Sequence, residues 1–206
     1  MFFKFLKKYL MQNENQNEAS VNNNGLGIKE KNSFVDPKKM IEMAEIKNGE
    51  KVADFGCGSG YFSVAAALAV GETGEVFAFD VLPAAIEALE SQSKTQGIDN
   101  IIIKRVNLEK EKSTGLEDGS MDWVIMKDVL FQNKNKKNIL KEAKRILKDR
   151  GNILVMEWNE NITLGPDRKS RINSKDLIEI IFGEGFVFKK QVDAGDYHYI
   201  IVATKM

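Results

Sequence analysis

The chain has little of several residue types that define other classes of protein. It has one cysteine among 206 residues, which excludes an internal disulfide and predicts a reducing, cytoplasmic compartment. Its 30 Lys and Arg residues balance 30 Asp and Glu residues, so no overall field recruits nucleic acid. No apolar run approaches the roughly 20 residues that span a bilayer. These absences favour a globular protein with no nucleic-acid partner.

Two regions of different composition divide the chain. Residues 1–33 form a basic and apolar N-terminal segment followed by a linker rich in Asn, Gln and Glu, which is typical of disorder. Residues 1–10 are either a frayed terminus or a short amphipathic segment that makes weak contact with a membrane surface. Residues 34–206 are predicted to be a single domain, and apolar residues, 43% of the whole chain, are sufficient for a sizeable core.

The segment from Val52 to Ser63 carries the strongest functional signal. An apolar strand leads into Gly56, Gly58 and Gly60, and an apolar helix follows. Glycine permits backbone conformations closed to other residues and lets a ligand approach the main chain. The spacing differs from the dinucleotide fingerprint, and the ending of a P-loop is missing. The segment therefore predicts a binding loop for a nucleoside-bearing cofactor.

This segment resembles the first motif of the class I S-adenosylmethionine-dependent methyltransferases, acidic-x-Gly-x-Gly-x-Gly. Asp54 and the three glycines match it position by position. The resemblance implies that the loop, with Cys57 and Ser59, binds the amino-acid end of S-adenosylmethionine, and that Asp54 pairs with its ammonium group. Cys57 is interpreted as a small packing residue because no base partner is evident. A tight turn without a ligand is the alternative.

A second acid follows at the distance expected for ribose recognition. Asp80 ends the apolar stretch from Gly74 and lies 20 residues after Gly60. A carboxylate at about this distance can accept hydrogen bonds from ribose hydroxyls, and the resemblance assigns Asp80 that role. The alternative is a cap of the helix that begins at Pro83. An acid here also argues against NADP.

Strands and helices alternate along most of the domain. Predicted strands at 100–106, 121–126 and 152–157 alternate with helices at 83–96 and 134–148, a rhythm that specifies an α/β fold with a parallel sheet. A helix at 174–182 with Ser174 as N-cap then precedes strands at 186–192 and 197–204, joined by a turn at 193–196. The resemblance implies a Rossmann-like three-layer sandwich whose mostly parallel seven-stranded sheet has the order 3-2-1-4-5-7-6 and a C-terminal antiparallel hairpin.

The rest of the cofactor pocket is expected beyond the carboxyl ends of the strands. By resemblance, Val81 and Leu82 lie beside the adenine, and Asn107 and Leu108 meet its edge. Many family members have Asp where this chain has Asn107, although an amide oxygen can still accept a bond from the exocyclic amine. Lys127 and Asp128 would lie near the methionine moiety or the substrate. For these two residues, solvation of a loop end is the alternative.

Methyl transfer from a sulfonium mainly requires alignment and exclusion of water, so catalytic residues are hard to identify. The polar segment 158–173 is the candidate substrate wall because it directly follows a strand end. His198, the single histidine, is interpreted as a half-buried strand residue with no visible partner. No metal is expected. The candidates for catalysis are Asp128, Glu157, Trp158, Arg171 and His198.

The sequence favours a methyltransferase with a small-molecule acceptor, by in-line displacement, similar to the ubiquinone and menaquinone methyltransferases. Segment 127–130 lacks the Asn-Pro-Pro-Tyr or Asp-Pro-Pro-Tyr sequence of many enzymes that methylate amino groups. The alternatives are a nicotinamide-dependent oxidoreductase and a non-catalytic cofactor-binding or partner module. The acceptor and the oligomeric state do not follow from the sequence.

Overall fold

The computed structural model describes residues 36–206, so the predicted N-terminal segment and its boundary at residue 33 lie outside the described residues. Within residues 36–206, no helix combines the length and apolar character that a membrane crossing requires. The helices are α1 (Pro37–Ala44), α2 (Tyr61–Val70), α3 (Pro83–Gln96), α4 (Lys136–Ile146) and α5 (Ser174–Gly183), with a short 3-10 turn at Arg168–Ser170. The strands are β1 (Lys51–Phe55), β2 (Glu75–Asp80), β3 (Ile101–Arg105), β4 (Met121–Lys127), β5 (Leu147–Trp158), β6 (Phe186–Ala194) and β7 (His198–Lys205).

The strands form one seven-stranded sheet in the order β3-β2-β1-β4-β5-β7-β6, which confirms the expected order. Strands β1 to β5 pair in parallel, and β7 pairs antiparallel with both β5 and β6. Neighbouring residues such as Val52 and Ala53, or Val124 and Ile125, point to opposite faces of the sheet and are all fully buried. Both faces are therefore covered, as in a three-layer α/β fold.

One face of the sheet carries a continuous apolar core beneath α1 and α2. It joins Ile41 of α1 and Ala66 of α2 to Val52, Trp123 and Leu154 of the central strands. Helix α1 begins at Pro37, because Asp36 accepts a hydrogen bond of 3.0 Å from the backbone N–H of Lys38 and proline has no N–H group that needs a partner. This packing fixes the position of α2, which follows the glycine loop directly.

Three predicted boundaries near the C-terminus were wrong. The N-cap of α5 is Asn173 instead of Ser174, since the Asn173 amide oxygen accepts a 2.8 Å bond from the backbone N–H of Asp176. The last two strands pair as far as Ala194 and His198, so the turn is shorter than the predicted segment 193–196. Strand β5 begins at Leu147, five residues earlier than predicted, because Leu147 pairs with Met121. Turn composition identified the hairpin but not its register.

Candidate functional site

The glycine loop joins β1 to α2 at the carboxyl edge of the sheet. Gly56, Gly58 and Gly60 have φ values of 72°, 52° and 91°, in the left-handed region that favours glycine. The backbone N–H groups of Gly56 and Cys57 donate to the carbonyl of Phe79, at 2.7 and 2.9 Å, so the end of β2 anchors the loop. Hydrogen bonds to β2, the strand beside β1, therefore fix the conformation of the loop.

The three glycines meet different surroundings. A Cβ at Gly60 would lie 2.3 Å from Leu89 of α3, and a Cβ at Gly56 would lie 2.6 Å from Val129. A Cβ at Gly58 would have no atom of residues 36–206 within 4 Å. Gly60 and Gly56 are therefore required by packing, whereas Gly58 presents bare backbone to open space where a ligand can approach.

Asp80 at the end of β2 is tied to the same loop. Its Oδ2 accepts a 3.0 Å bond from the backbone N–H of Gly58, and its Oδ1 accepts a 2.9 Å bond from that of Leu82. Only 9% of the residue is exposed. Each carboxylate oxygen has two lone pairs, so both oxygens keep capacity for a further donor. Asp80 therefore fixes both the glycine loop and the segment that leads into α3.

Asp54 is deeply buried at this edge, with 1% of the residue exposed. Its Oδ2 accepts a 2.5 Å bond from the hydroxyl of Ser63, one turn into α2. Burial raises the pKa of Asp54 to about 6, and the charge of Asp80 adds to this, while Ser63 and Lys127 lower it. A cation that binds beside this carboxyl would recover part of the free energy lost through burial.

A cleft of about 900 Å³ opens at this edge of the sheet. It is lined by ten of the eleven residues predicted to bind a cofactor: Asp54, Gly56, Cys57, Gly58, Ser59, Asp80, Val81, Asn107, Leu108 and Lys127. The exception, Gly60, is the N-cap of α2 and packs on Leu89. Cys57 is buried, and burial raises the pKa of its thiol, which opposes a nucleophilic role.

Several lining residues were not predicted. Pro37, Tyr61, Phe62, Val106, Val129, Gln132 and Asn133 also face the cleft. The last three follow the carboxyl end of β4, and that position alone was a usable signal. Asn107 has a local role as well, because its Oδ1 accepts a 2.9 Å bond from the backbone N–H of Glu109.

Trp158 and His198, two of the five catalytic candidates, line the cleft; Asp128, Glu157 and Arg171 do not. The two rings lie 4.2 Å apart between centroids. The interpretation of His198 as half-buried and without a partner was wrong. Only 4% of it is exposed, and its Nε2 lies 3.2 Å from Oδ1 of Asp128. The sheet order brings together two residues 70 positions apart, a contact that no local pattern encodes.

Asp128 follows β4 in a left-handed conformation, with φ of 57°. Its Oδ2 forms an ion pair with the ammonium group of Lys127. The 3.2 Å contact with His198 has an ion-pair distance, although its angle lies outside hydrogen-bond geometry. Burial raises the pKa of Asp128, but contact with His198 and Lys127 outweighs burial and holds this pKa below its usual value.

Glu157 lies one residue before Trp158 and is fully buried. Its Oε1 accepts bonds from the backbone N–H groups of Leu130, at 2.8 Å, and Phe131, at 3.3 Å. Burial, followed by the charge of Asp128, raises the pKa of Glu157 to about 8. Glu157 therefore fixes the segment after β4 and is largely protonated at neutral pH.

Arg171 organises the segment predicted as a substrate wall. Its guanidinium group donates five bonds of 2.6 to 3.0 Å to the carbonyls of Asn159, Ile162, Leu164 and Pro166. The same group lies 5.9 Å from the centre of the Trp158 ring. With five donors engaged, Arg171 holds the loop over Trp158 and is not directed at the cleft.

The comparisons with known proteins agree on the family. Residues 46–200 match the family described as "Methyltransferase domain". The chain is 30% identical over 167 residues to the ubiquinone/menaquinone biosynthesis C-methyltransferase UbiE of Haemophilus ducreyi, covering 81% of this chain and 61% of that protein. It is also 30% identical over 146 residues to the protein-L-isoaspartate O-methyltransferase of Fervidobacterium nodosum, covering 69% of each.

Solved structures show the same fold at lower identity. A SAM-dependent methyltransferase from Aquifex aeolicus superposes with a TM-score of 0.78 at 22% identity, covering 84% of this chain and 91% of that one. The [4+2]-cyclase SpnF superposes with a TM-score of 0.69 at 15% identity, covering 82% and 80%. This fold therefore hosts more than one reaction, and the fold alone does not fix the chemistry. By its match over residues 46–200, the chain belongs to the methyltransferase-domain family.

Proposed function

We propose that this protein transfers a methyl group from S-adenosylmethionine to a small-molecule acceptor. The observation that carries the proposal is the bond between Asp80 and the backbone of Gly58 at the wall of the cleft. This bond joins the loop of left-handed glycines to a carboxylate that can accept hydrogen bonds from ribose hydroxyls, and the two form a single binding surface. Family membership supports the same activity. The chain spans 61% of the length of UbiE, so the activity of that whole protein is not carried over.

The residues around the loop fit this cofactor chemically. The open space at Gly58 leaves room for a ligand against the backbone, which a side chain would fill. Asp54 would face the ammonium group, and Asp80 would accept bonds from the ribose hydroxyls. Val81 and Leu82 are half-exposed or more, and would cover the adenine, with Asn107 and Leu108 at its edge. Lys127 would neutralise a carboxylate.

The chain itself has a limited part in the transfer. When bound, the cofactor supplies a methyl group already activated on a sulfonium. The cleft walls hold the acceptor in line with that group and keep water away from it. The cleft volume of about 900 Å³ lies near the upper end of the usual range for small-molecule sites, so it can hold more than one ligand.

The composition of the chain also bears on the class of acceptor and on the compartment in which the protein acts. The zero net charge of the chain disfavours nucleic acid as the acceptor, and a single buried cysteine suits a reducing compartment such as the cytoplasm. Weak membrane contact through residues 1–10 stays a prediction outside the described residues.

A radiometric assay tests the proposal. Purified protein is incubated with methyl-labelled S-adenosylmethionine and either hydroquinone or an isoaspartyl peptide, since the two relatives are named for a quinone pathway and for isoaspartate. We expect label transfer to hydroquinone and stoichiometric S-adenosylhomocysteine. Transfer to the peptide alone would contradict a small-molecule acceptor. If neither acceptor is methylated and the protein does not bind S-adenosylhomocysteine, the proposal as a whole is wrong.

A further inference from the structure

The acceptor side of the cleft contains a histidine whose surroundings are unusual for a packing residue. His198 is the single histidine of the chain and the first residue of β7, paired across the sheet with Trp158 of β5. It lines the cleft although only 4% of it is exposed. Neither ring nitrogen has a hydrogen-bond partner among the described residues. Buried polar groups are normally bonded, so this imidazole is suited to a partner that a ligand supplies.

Asp128 orients the imidazole ring. The carboxylate lies 3.2 Å from Nε2, within ion-pair distance, and on this contact we assign the ring hydrogen to Nε2 and the free lone pair to Nδ1. A carboxylate in this position also stabilises the imidazolium that forms when Nδ1 takes a proton. Lys127 engages the other oxygen of Asp128 and fixes its orientation. The arrangement is that of a base and its orienting acid.

The charged and titratable groups around the ring come from several elements. Lys127 and Asp128 lie at the end of β4, and the buried Glu157 lies at the end of β5. The Tyr199 hydroxyl, next along β7, donates a 2.6 Å bond to the carbonyl of Ile172, and Arg171 reaches the Trp158 ring. Asp54 lies on the wall of the same cleft. Asp128 is the one of these groups within ion-pair distance of the imidazole.

We propose that His198 is the general base that removes the proton from a hydroxyl-bearing methyl acceptor, with Asp128 as its positioning residue. This inference rests on the proposed methyltransferase function. The acceptor oxygen forms a bond to the methyl carbon while the carbon–sulfur bond breaks, and its electron pair stays on sulfur as a neutral thioether. The hydroxyl proton passes to Nδ1 of His198 and later to solvent, so charge and atoms balance.

A hydroxyl is the acceptor group that fits this base, because its oxygen becomes negative as the proton leaves. Lys127, which is ion-paired with Asp128, is the lysine among the lining residues and lies close enough to the cleft to stabilise that charge. The indole of Trp158, 4.2 Å from the imidazole, covers the base and keeps water from it. A nucleophile that has no proton to lose would not need such a base.

Because the chain has one histidine, an imidazole labelled with ¹³C at Cε1 gives a single NMR signal that can be titrated without assignment. The titration is made with bound S-adenosylhomocysteine and with bound S-adenosylmethionine, which differ by the methyl group and its positive charge. Both ligands carry the ammonium group that faces Asp54, so that contribution cancels. We expect the midpoint to be lower with the sulfonium bound, because a nearby positive charge disfavours the imidazolium.

Variants complete the test. Asp128→Asn should lower the midpoint in every state, because the variant no longer stabilises the imidazolium. In the hydroquinone assay, His198→Gln should lose at least about 100-fold in kcat, as is typical of a lost general base, with little change in S-adenosylhomocysteine affinity. Thr204→Val, at the far end of β7 where Thr204 donates to Asn152, should behave like wild type.

Two results overturn the inference while the proposed function stands. The first is the same titration midpoint of the imidazole with either ligand bound, and the second is undiminished turnover by His198→Gln. Absence of binding by both ligands overturns the inference together with the proposed function. Should His198→Gln fail to fold, the comparison of the two ligands on wild-type protein still decides.

Discussion

The carboxylate of Asp80 accepts a 3.0 Å hydrogen bond from the backbone N–H of Gly58, across 22 residues of sequence. The end of β2 thus holds the loop that follows β1. A single side chain therefore shapes the binding loop and supplies the acid proposed for ribose recognition.

We expect Asp80→Asn to weaken S-adenosylhomocysteine binding by at least about tenfold, because hydrogen bonds to a charged group contribute about 1.5–3 kcal/mol. Calorimetric titration gives the change in Kd. Asp99→Asn, in the exposed loop before β3, is the matched control and should leave Kd unchanged. An unaltered Kd in correctly folded Asp80→Asn would remove the ribose assignment.

The raised pKa of Asp54, about 6, predicts a pH-dependent affinity. Below this pH the free protein carries a proton on Asp54 that must leave before the ammonium group can pair with it. Affinity should be constant above about pH 7 and fall by up to about tenfold per pH unit below about pH 6. Titration of wild type and Asp54→Asn over this range tests the assignment. A slope that persists in Asp54→Asn would belong to another group.

The raised pKa of Asp54 has the opposite effect on the folding stability of the unliganded protein, which falls as the pH rises. Because folding raises the pKa of Asp54, this group contributes stability that is fully present below about pH 4 and lost as the pH rises through about 6. A cation bound beside Asp54 should therefore raise the melting temperature more at pH 7 than at pH 5.

Alanine substitutions at Gly60 and Gly58 should have different effects on folding stability and on cofactor affinity. Gly60→Ala adds a methyl group 2.3 Å from Leu89 at a φ of 91°, so we expect a loss of about 2 kcal/mol or more and a Tm lower by at least about 4 °C. The added methyl group of Gly58→Ala meets no atom of the described residues within 4 Å, so this variant should lower the Tm less while weakening cofactor binding more. Calorimetric melting and titration of both variants check this, and the reverse order would contradict the assignment of Gly58 to the ligand surface.

The loop after β5 depends on Arg171. Arg171→Lys cannot reproduce five donor bonds, so the amides of residues 159–170 should exchange about 10–100 times faster with deuterium. Affinity for S-adenosylhomocysteine should stay the same, because Arg171 does not line the cleft. Arg168→Lys, which replaces a residue with one bond to Ile162, is the control. Unchanged exchange would show that other contacts hold the loop.

Local sequence patterns were sufficient for the parts of the site that one short segment encodes. The spacing of Gly56, Gly58 and Gly60 predicted a loop whose three glycines all have left-handed φ values. The alternation of strands and helices, with the family resemblance, predicted the sheet order. The contact between His198 and Asp128 was missed, because it depends on how β4, β5 and β7 lie side by side. The role of Arg171 in holding the loop was missed for a different reason, because its partners are backbone carbonyls of residues 159–166, which no side-chain pattern indicates.

Calorimetric titration of the purified chain with S-adenosylhomocysteine, with NAD in parallel, tests the central claim most directly. The account predicts micromolar binding of S-adenosylhomocysteine and no binding of NAD, because Asp54 can pair with an ammonium group but would repel a pyrophosphate. Binding of NAD alone would indicate an oxidoreductase. Binding of neither would contradict the account and favour a non-catalytic partner module.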